Sequence, residues 1–301
     1  DEKVESARNF ANKVWNASRF VLMNTQTREA IDPAKLQLPD KWILSRLNKV
    51  IAEISGHMED GDFGIAAQNI YDFAWSEFCD WYIELVKGNF DAETKAVAGW
   101  VLDQILVMLH PFMPFVTEEL WSKMGERSYE LIVAQWPAPA ASVDAEAKAE
   151  VEWLIALVGN LRAAKVELGI SPGARLSAYL ADPSAATRSF IERNPAVVDR
   201  LARLDGLHFA AAPAGAAMQI SAGDALLAIP LEGVIDLAAE KARLEKALAV
   251  SVKERDSLGK RLENPAFVGK AKPDAVEKAK ADHAAHAAEA ERLEGALKRL
   301  G

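Results

Sequence analysis

Near the C-terminal end, two runs place their seam residues at alternating steps of four and three. The first is Leu237, Lys241, Leu244, Leu248, Ser251, Arg255, Leu258 and Leu262; the second is Val276, Ala279, His283, His286, Ala290, Leu293, Leu297 and Leu300. A seam that recurs every seven residues stays on one side of a helix and has to be covered by a second helix. Between the runs lies ENPAFVGKAKPD, where Pro265, Gly269 and Pro273 cannot continue a helix. The chain must therefore double back, and the two runs predict an antiparallel coiled-coil hairpin projecting about 40 Å. Both seams are poor in large side chains and hold Lys241, Arg255 and two histidines, which predicts marginal stability.

The rest of the sequence is punctuated differently. Apolar residues recur at helical spacing in Val4–Leu22, Lys41–Met58, a run carrying Ile70, Phe73, Phe78, Trp81 and Leu85, and Ala92–Leu109. Asp40 reads as the N-cap of the second run, His110-Pro111 stops the fourth, and Pro114 opens a shorter helix. WPAPAASVDAEAKAE reads as a linker, and Val151–Leu168 as a further helix ending at a left-handed Gly169. Beyond it, RLSAYLA, LHFAAA, MQISA and LLAIPL read as short antiparallel strands, with short helices around Ser184 to Leu204. The expected fold is mainly α, in four parts. A helical bundle spans 1–136, a linker 137–150, a helix with a small α/β subdomain 151–232, and the coiled-coil arm 233–301.

Composition narrows the class. At 301 residues, half of them hydrophobic, the chain has material for about two domains. It contains no apolar run of about 18 residues that could span a membrane. The first residues are charged rather than leader-like, and the single Cys79 cannot form an internal disulfide. These features predict a reducing, cytoplasmic location. The net charge of −9 argues against a general polyanion binder such as a DNA-binding protein. Yet residues 234–301 hold 14 Lys and Arg against 12 Asp and Glu, which leaves −11 to everything before them. The arm is electrostatically distinct.

Catalytic patterns are scarce. The sequence has no Gly-rich phosphate loop, HExxH, CxxC or GxSxG. His57, His110 and His208 are isolated; His283 and His286 share a helix face but lack two further metal ligands nearby. Glu118-Glu119 suits a helix N-terminus, Cys79 a buried apolar position, and the eight tryptophans helical core faces. The residues alone describe a binding or architectural chain.

The ordered segments RNFANKVWNASRFVLMN, DKWILSRLN, FAWSEFCDWYIELVK and LHPFMPFVTEELW resemble the C-terminal part of the bacterial-type valyl-tRNA synthetases. The related isoleucyl and leucyl enzymes share a looser form of the pattern. VEWLIALVGNLRAAKVELGISPG and the tail LEGVIDLAAEKARLEKAL with LENPAFVGKAKPDAVEKAK favour the valine enzymes. The resemblance covers nearly the whole chain and is weakest over Ser184–Gly223. It implies a bundle that binds the anticodon stem and loop and an arm that reaches the outer corner of tRNA(Val). It also implies that the domains bearing the HIGH and KMSKS motifs, where ATP and Mg act, and the editing domain precede the segment matching residue 1. On that reading the chain holds no cofactor, forms valyl-tRNA only with that catalytic half as partner, and is a monomer.

Two sets of residues are candidates for RNA contact. Arg8, Asn9, Asn12, Lys13, Asn16 and Arg19 recur along one side of the first helix, free of its apolar stripe. Arg255, Lys260, Arg261, Lys270 and Lys272 cluster toward the hairpin tip, where cations would meet phosphates and make binding salt-sensitive. A competing reading, a non-catalytic coiled-coil adaptor, accounts for the acidic balance but not for the ordered bundle segments.

Overall fold

A computed structural model of the chain describes residues 2–24, 31–139, 144–264, 267, 269 and 273–299. They form two compact units, Asp1–Glu152 and Trp153–Gly301.

Among the described residues the first unit contains helices and no strand. Its helices are α1 (Glu2–Asn24), α2 (Leu38–Glu59), α3 (Phe63–Asp72), α4 (Ile83–Val86), α5 (Ala92–Leu109) and α6 (Pro114–Lys123). Between α3 and α4 the helix continues without a break but widens into a π-helical stretch, Phe73–Tyr82, in which the Ile83 amide reaches back to the Phe78 carbonyl. Phe10, Val14 and Val21 of α1, Trp42, Ile51 and Ile54 of α2, Phe73, Phe78 and Tyr82 of the π stretch, and Val97, Val101 and Ile105 of α5 are buried together. Helical spacing marks all of these positions except Tyr82: it points to Trp81, which is half-buried, and the wider π winding brings Tyr82 inward instead.

Asp40 is not the N-cap of α2. Pro39 sits in the first turn, which moves the helix start back to Leu38 and makes Gln37 the cap residue. Asp40 then occupies the third helical position, where it accepts the Gln37 amide at 3.2 Å. It is fully buried. Its carboxylate accepts the Tyr82 hydroxyl at 2.8 Å and the Thr94 hydroxyl at 2.9 Å, tying α2, the π stretch and α5 together. Burial holds its pKa above the ordinary carboxylate value, the three hydrogen bonds opposing that rise only in part.

Two bidentate ion pairs reinforce the bundle. Arg127 donates to Asp103 at 2.7 and 3.1 Å while lying over the Trp121 ring at 3.6 Å. Arg46 of α2 donates to Glu77 of the π stretch, both contacts at 2.6 Å.

The stretch read as a linker is partly packed. The Trp136 indole donates to Ser55 at 3.0 Å. The Asp144 amide donates to Ser45 at 2.9 Å, and its carboxylate caps α7 (Ala145–Glu167) by accepting the Ala147 amide at 2.9 Å. The cap and the alanines after it start this helix at Ala145, six residues before the expected Val151.

In the second unit α7 ends as expected at Gly169, whose φ of +63° closes the helix with the Ile170 amide on the Lys165 carbonyl. A four-stranded sheet follows, built of β1 (Leu176–Tyr179), β2 (Leu204–His208), β3 (Ala217–Ala222) and β4 (Ala225–Pro230) in the order β2-β1-β4-β3. The expectation of antiparallel strands holds for β3–β4 and β1–β4 only. β1 and β2 pair in parallel, Tyr179 opposite His208, because helices α8 (Ala185–Arg193) and α9 (Pro195–Ala202) carry the chain back to its starting end. Helices α10 (Leu237–Glu263) and α11 (Pro273–Arg299) are the expected hairpin. Leu244, Ser251, Val276, Ala279, Ala290 and Leu293 are buried between them, with Ala296 rather than Leu297 closing the seam.

Candidate nucleic-acid interface

The apolar stripe of α1 faces the bundle core, so its other side is left to solvent. Arg8, Asn9, Asn12, Asn16 and Arg19 are all exposed there. Among the described residues Arg8 reaches Glu5, at 3.5 Å between exposed groups, a contact worth little in water. The five side chains form one polar strip of donors, with amides that can bond bases or riboses and guanidinium groups that can bond phosphates.

Lys13 stands apart from that strip. It is half-buried, its ammonium bonds Asp80, and it lies over the Trp75 ring at 3.9 Å. Trp75 in turn stacks on Tyr71, and Tyr71 packs on Phe10. The cation is thus used to dock α1 on the π stretch.

At the far end of the arm, Lys260 and Arg261 are exposed in the last turn of α10. Arg261 lies over the Phe267 ring at 4.1 Å, which braces the guanidinium but leaves its edge available. Arg255 is half-buried on the seam and bonds Asp256 at 2.8 Å, so part of its charge is answered locally. Lys270 and Lys272 lie outside the described residues. At the arm's base, Arg243 donates to the Glu167 carbonyl at the end of α7, at 3.1 Å.

Three of the histidines, the cysteine and Glu118 take structural places. His110 shares a 2.9 Å hydrogen bond with Thr117, and His208 packs on Tyr179 with ring centres 5.0 Å apart. His283 fills the space beside Gly259, about 3.5 Å from where a Cβ would stand. Burial pushes the Cys79 thiol up to about 12, the opposite of what a nucleophile needs. Glu118 accepts the Leu131 amide at 2.9 Å. Among the described residues no three His, Cys, Asp or Glu side chains are placed to hold a metal ion. No helix among them is long and apolar enough to cross a membrane.

One cationic feature is not visible as a pattern in the sequence. A groove of about 380 Å³ opens in the second unit between the last turns of α7, the turn at Pro172-Gly173 and the end of α9. Arg162, Lys165 and Arg203 line it beside Leu161 and Leu201. Arg162 and Lys165 fall on one helix face, but Arg203 joins them only through its left-handed conformation, with φ at +51°.

Two family models match parts of the chain. Residues 40–180 match the anticodon-binding domain of tRNA ligases, and residues 236–301 match the valyl-tRNA synthetase tRNA-binding arm. The whole chain aligns with the valine--tRNA ligase of Rhizorhabdus wittichii at 49% identity, covering 35% of that protein. It aligns with the Sphingopyxis alaskensis enzyme at 47%, covering 36%, and with the Zymomonas mobilis enzyme at 40%, covering 35%. The chain therefore spans about a third of the length of the curated relatives it matches.

Proposed function

The chain belongs to the valyl-tRNA synthetase family, and we propose that within it these residues grip tRNA(Val), the bundle at the anticodon stem and loop and the arm at the outer corner. The observation that carries the reading is the arm, a match to a tRNA-binding element over 236–301 whose two helices form a hairpin with cations at its far end. Double-helical RNA hides its base edges, so a projecting charged rod can recognise the shape of a folded tRNA where a pocket could not. The polar strip Arg8, Asn9, Asn12, Asn16 and Arg19 supplies contacts in the bundle, and Lys260 and Arg261, with Lys270 and Lys272, supply them in the arm. Lys13 and Arg255 support these surfaces from behind.

We assign the chemistry, attachment of valine to tRNA with ATP and Mg, to the rest of the synthetase, since neither HIGH nor KMSKS occurs in these 301 residues. The partners are then tRNA(Val) and the catalytic domain of the same polypeptide. The setting is the cytoplasm, and the protein acts as a monomer. The functional division is a bundle over 1–136, a connecting stretch over 137–150, a small α/β subdomain over 151–232 and an arm over 233–301.

Titration with tRNA(Val) transcript, an anticodon-swapped transcript and an unrelated tRNA over a salt series tests this. The expected result is tightest binding to tRNA(Val), loosened by the anticodon swap and falling steeply with salt. Equal binding to all three, or valine-dependent ATP–pyrophosphate exchange by the chain alone, would sink it.

A further inference from the structure

Two cations of the groove in the second unit, Lys165 and Arg203, have few answering groups among the described residues. Lys165 is 3% exposed, and among the described residues its ammonium has one acceptor, the Ala174 carbonyl at 2.6 Å. A buried ammonium has three N–H donors and is costly to leave partly bonded. Its charged neighbours make matters worse: burial first, then Arg203 and Arg175, draw its pKa below the ordinary lysine value. Arg175 is answered by Asp205 at 3.0 Å, whereas among the described residues neither Lys165 nor Arg203 forms an ion pair. The groove is thus a cationic site beside an apolar wall of Leu161 and Leu201.

We propose that this groove is a nucleotide-binding subsite: it takes one unpaired nucleotide, with the phosphate on Lys165 and Arg203 and the base against Leu161 and Leu201. A phosphate brings the permanent negative charge and the several acceptor oxygens that these donors lack, and a base has a flat apolar face for the wall. A peptide carboxylate would satisfy the cations but leave the wall without a counterpart of that shape. The inference rests on the tRNA reading for the source of the nucleotide, not for the chemistry of the site.

The test uses the 301-residue chain labelled for amide NMR and titrated with uridine 5′-monophosphate, inorganic phosphate and uridine. The nucleotide should shift the Lys165, Gly173 and Arg203 amides saturably and bind more tightly than phosphate or uridine alone. Lys165→Met and Arg203→Gln should each weaken it roughly tenfold, the loss of one charge-assisted contact. Arg203 is exposed, so its variant keeps the test alive if Lys165→Met does not fold. No saturable shift, equal affinity for phosphate and nucleotide, or wild-type affinity in a folded Lys165→Met or Arg203→Gln variant would overturn the proposal. So would displacement of the nucleotide by a tighter-binding acidic peptide. Nucleotide binding by a chain that binds no tRNA would uphold the subsite and reject the tRNA reading; tRNA binding unchanged by Arg203→Gln would do the reverse.

Discussion

The bundle and the arm are both helical, yet they are held together by different means. In the bundle, large side chains such as Trp42, Phe73 and Tyr82 interlock, and polar groups are buried only where several partners meet them, as at Asp40. In the arm, the seam is built of Ala279, Ala290, Ala296, Ser251 and half-buried histidines, with leucines contributing at Leu244 and Leu293. Small residues let two helices lie close but bury little apolar surface, so each turn of the arm gains less than each turn of the bundle. On the proposed reading, a surface that presents fixed donors gains from the first design. On the same reading, a rod that settles against an irregular RNA tolerates the second.

This contrast can be tested most sharply at the Arg127–Asp103 pair. Asp103→Ala leaves a guanidinium buried without its carboxylate and should cost about 3–5 kcal/mol of the first unit's stability. Chemical denaturation followed by tryptophan fluorescence reads it. Leu244→Ala, at a fully buried arm position, should cost about 2–3 kcal/mol and speed amide exchange in α10 and α11 while leaving α5 protected. If exchange in α5 rises equally, the two regions unfold as one and the contrast fails. Gly169→Ala should cost about 1 kcal/mol, because a Cβ is strained at that positive φ although no atom stands in its way. The smallest effect concerns pH. Because burial raises the Asp40 pKa, the native state holds its proton more tightly than the unfolded chain. Its contribution is then greatest below the ordinary value of 3.8 and is lost as pH rises through the raised native value. Asp40→Asn should flatten that part of the pH–stability profile, and an unchanged slope would remove Asp40 from the account.

What the sequence revealed follows the same division. Periodicity marks which face of a helix is apolar, so α2 and the seam of the hairpin were legible from spacing. It does not mark what a polar side chain meets in space. Asp40 looks like a cap until Pro39 shifts the helix start, and Lys13 looks like part of a polar strip until the π stretch supplies Trp75 and Asp80. The pairing of β1 with β2 depends on where two intervening helices deliver the chain, which no strand pattern states. Lys165 and Arg203 stand 38 residues apart and meet only because α9 ends in a left-handed turn.

The widened helix at Phe73–Tyr82 sets a rule about length rather than composition. Its turns take up more residues than α turns, so it sets the rotational phase at which everything after it leaves the helix. Within it, Trp75 faces α1, Glu77 faces Arg46, and Tyr82 faces Asp40. Deleting one residue between Glu77 and Tyr82 would restore ordinary helical winding yet rotate Tyr82 out of phase with Trp75 and Glu77, so the three groups could not all meet their partners at once. Substitutions there are local events, whereas an insertion or deletion would decouple α1, α2 and α5 in a single step.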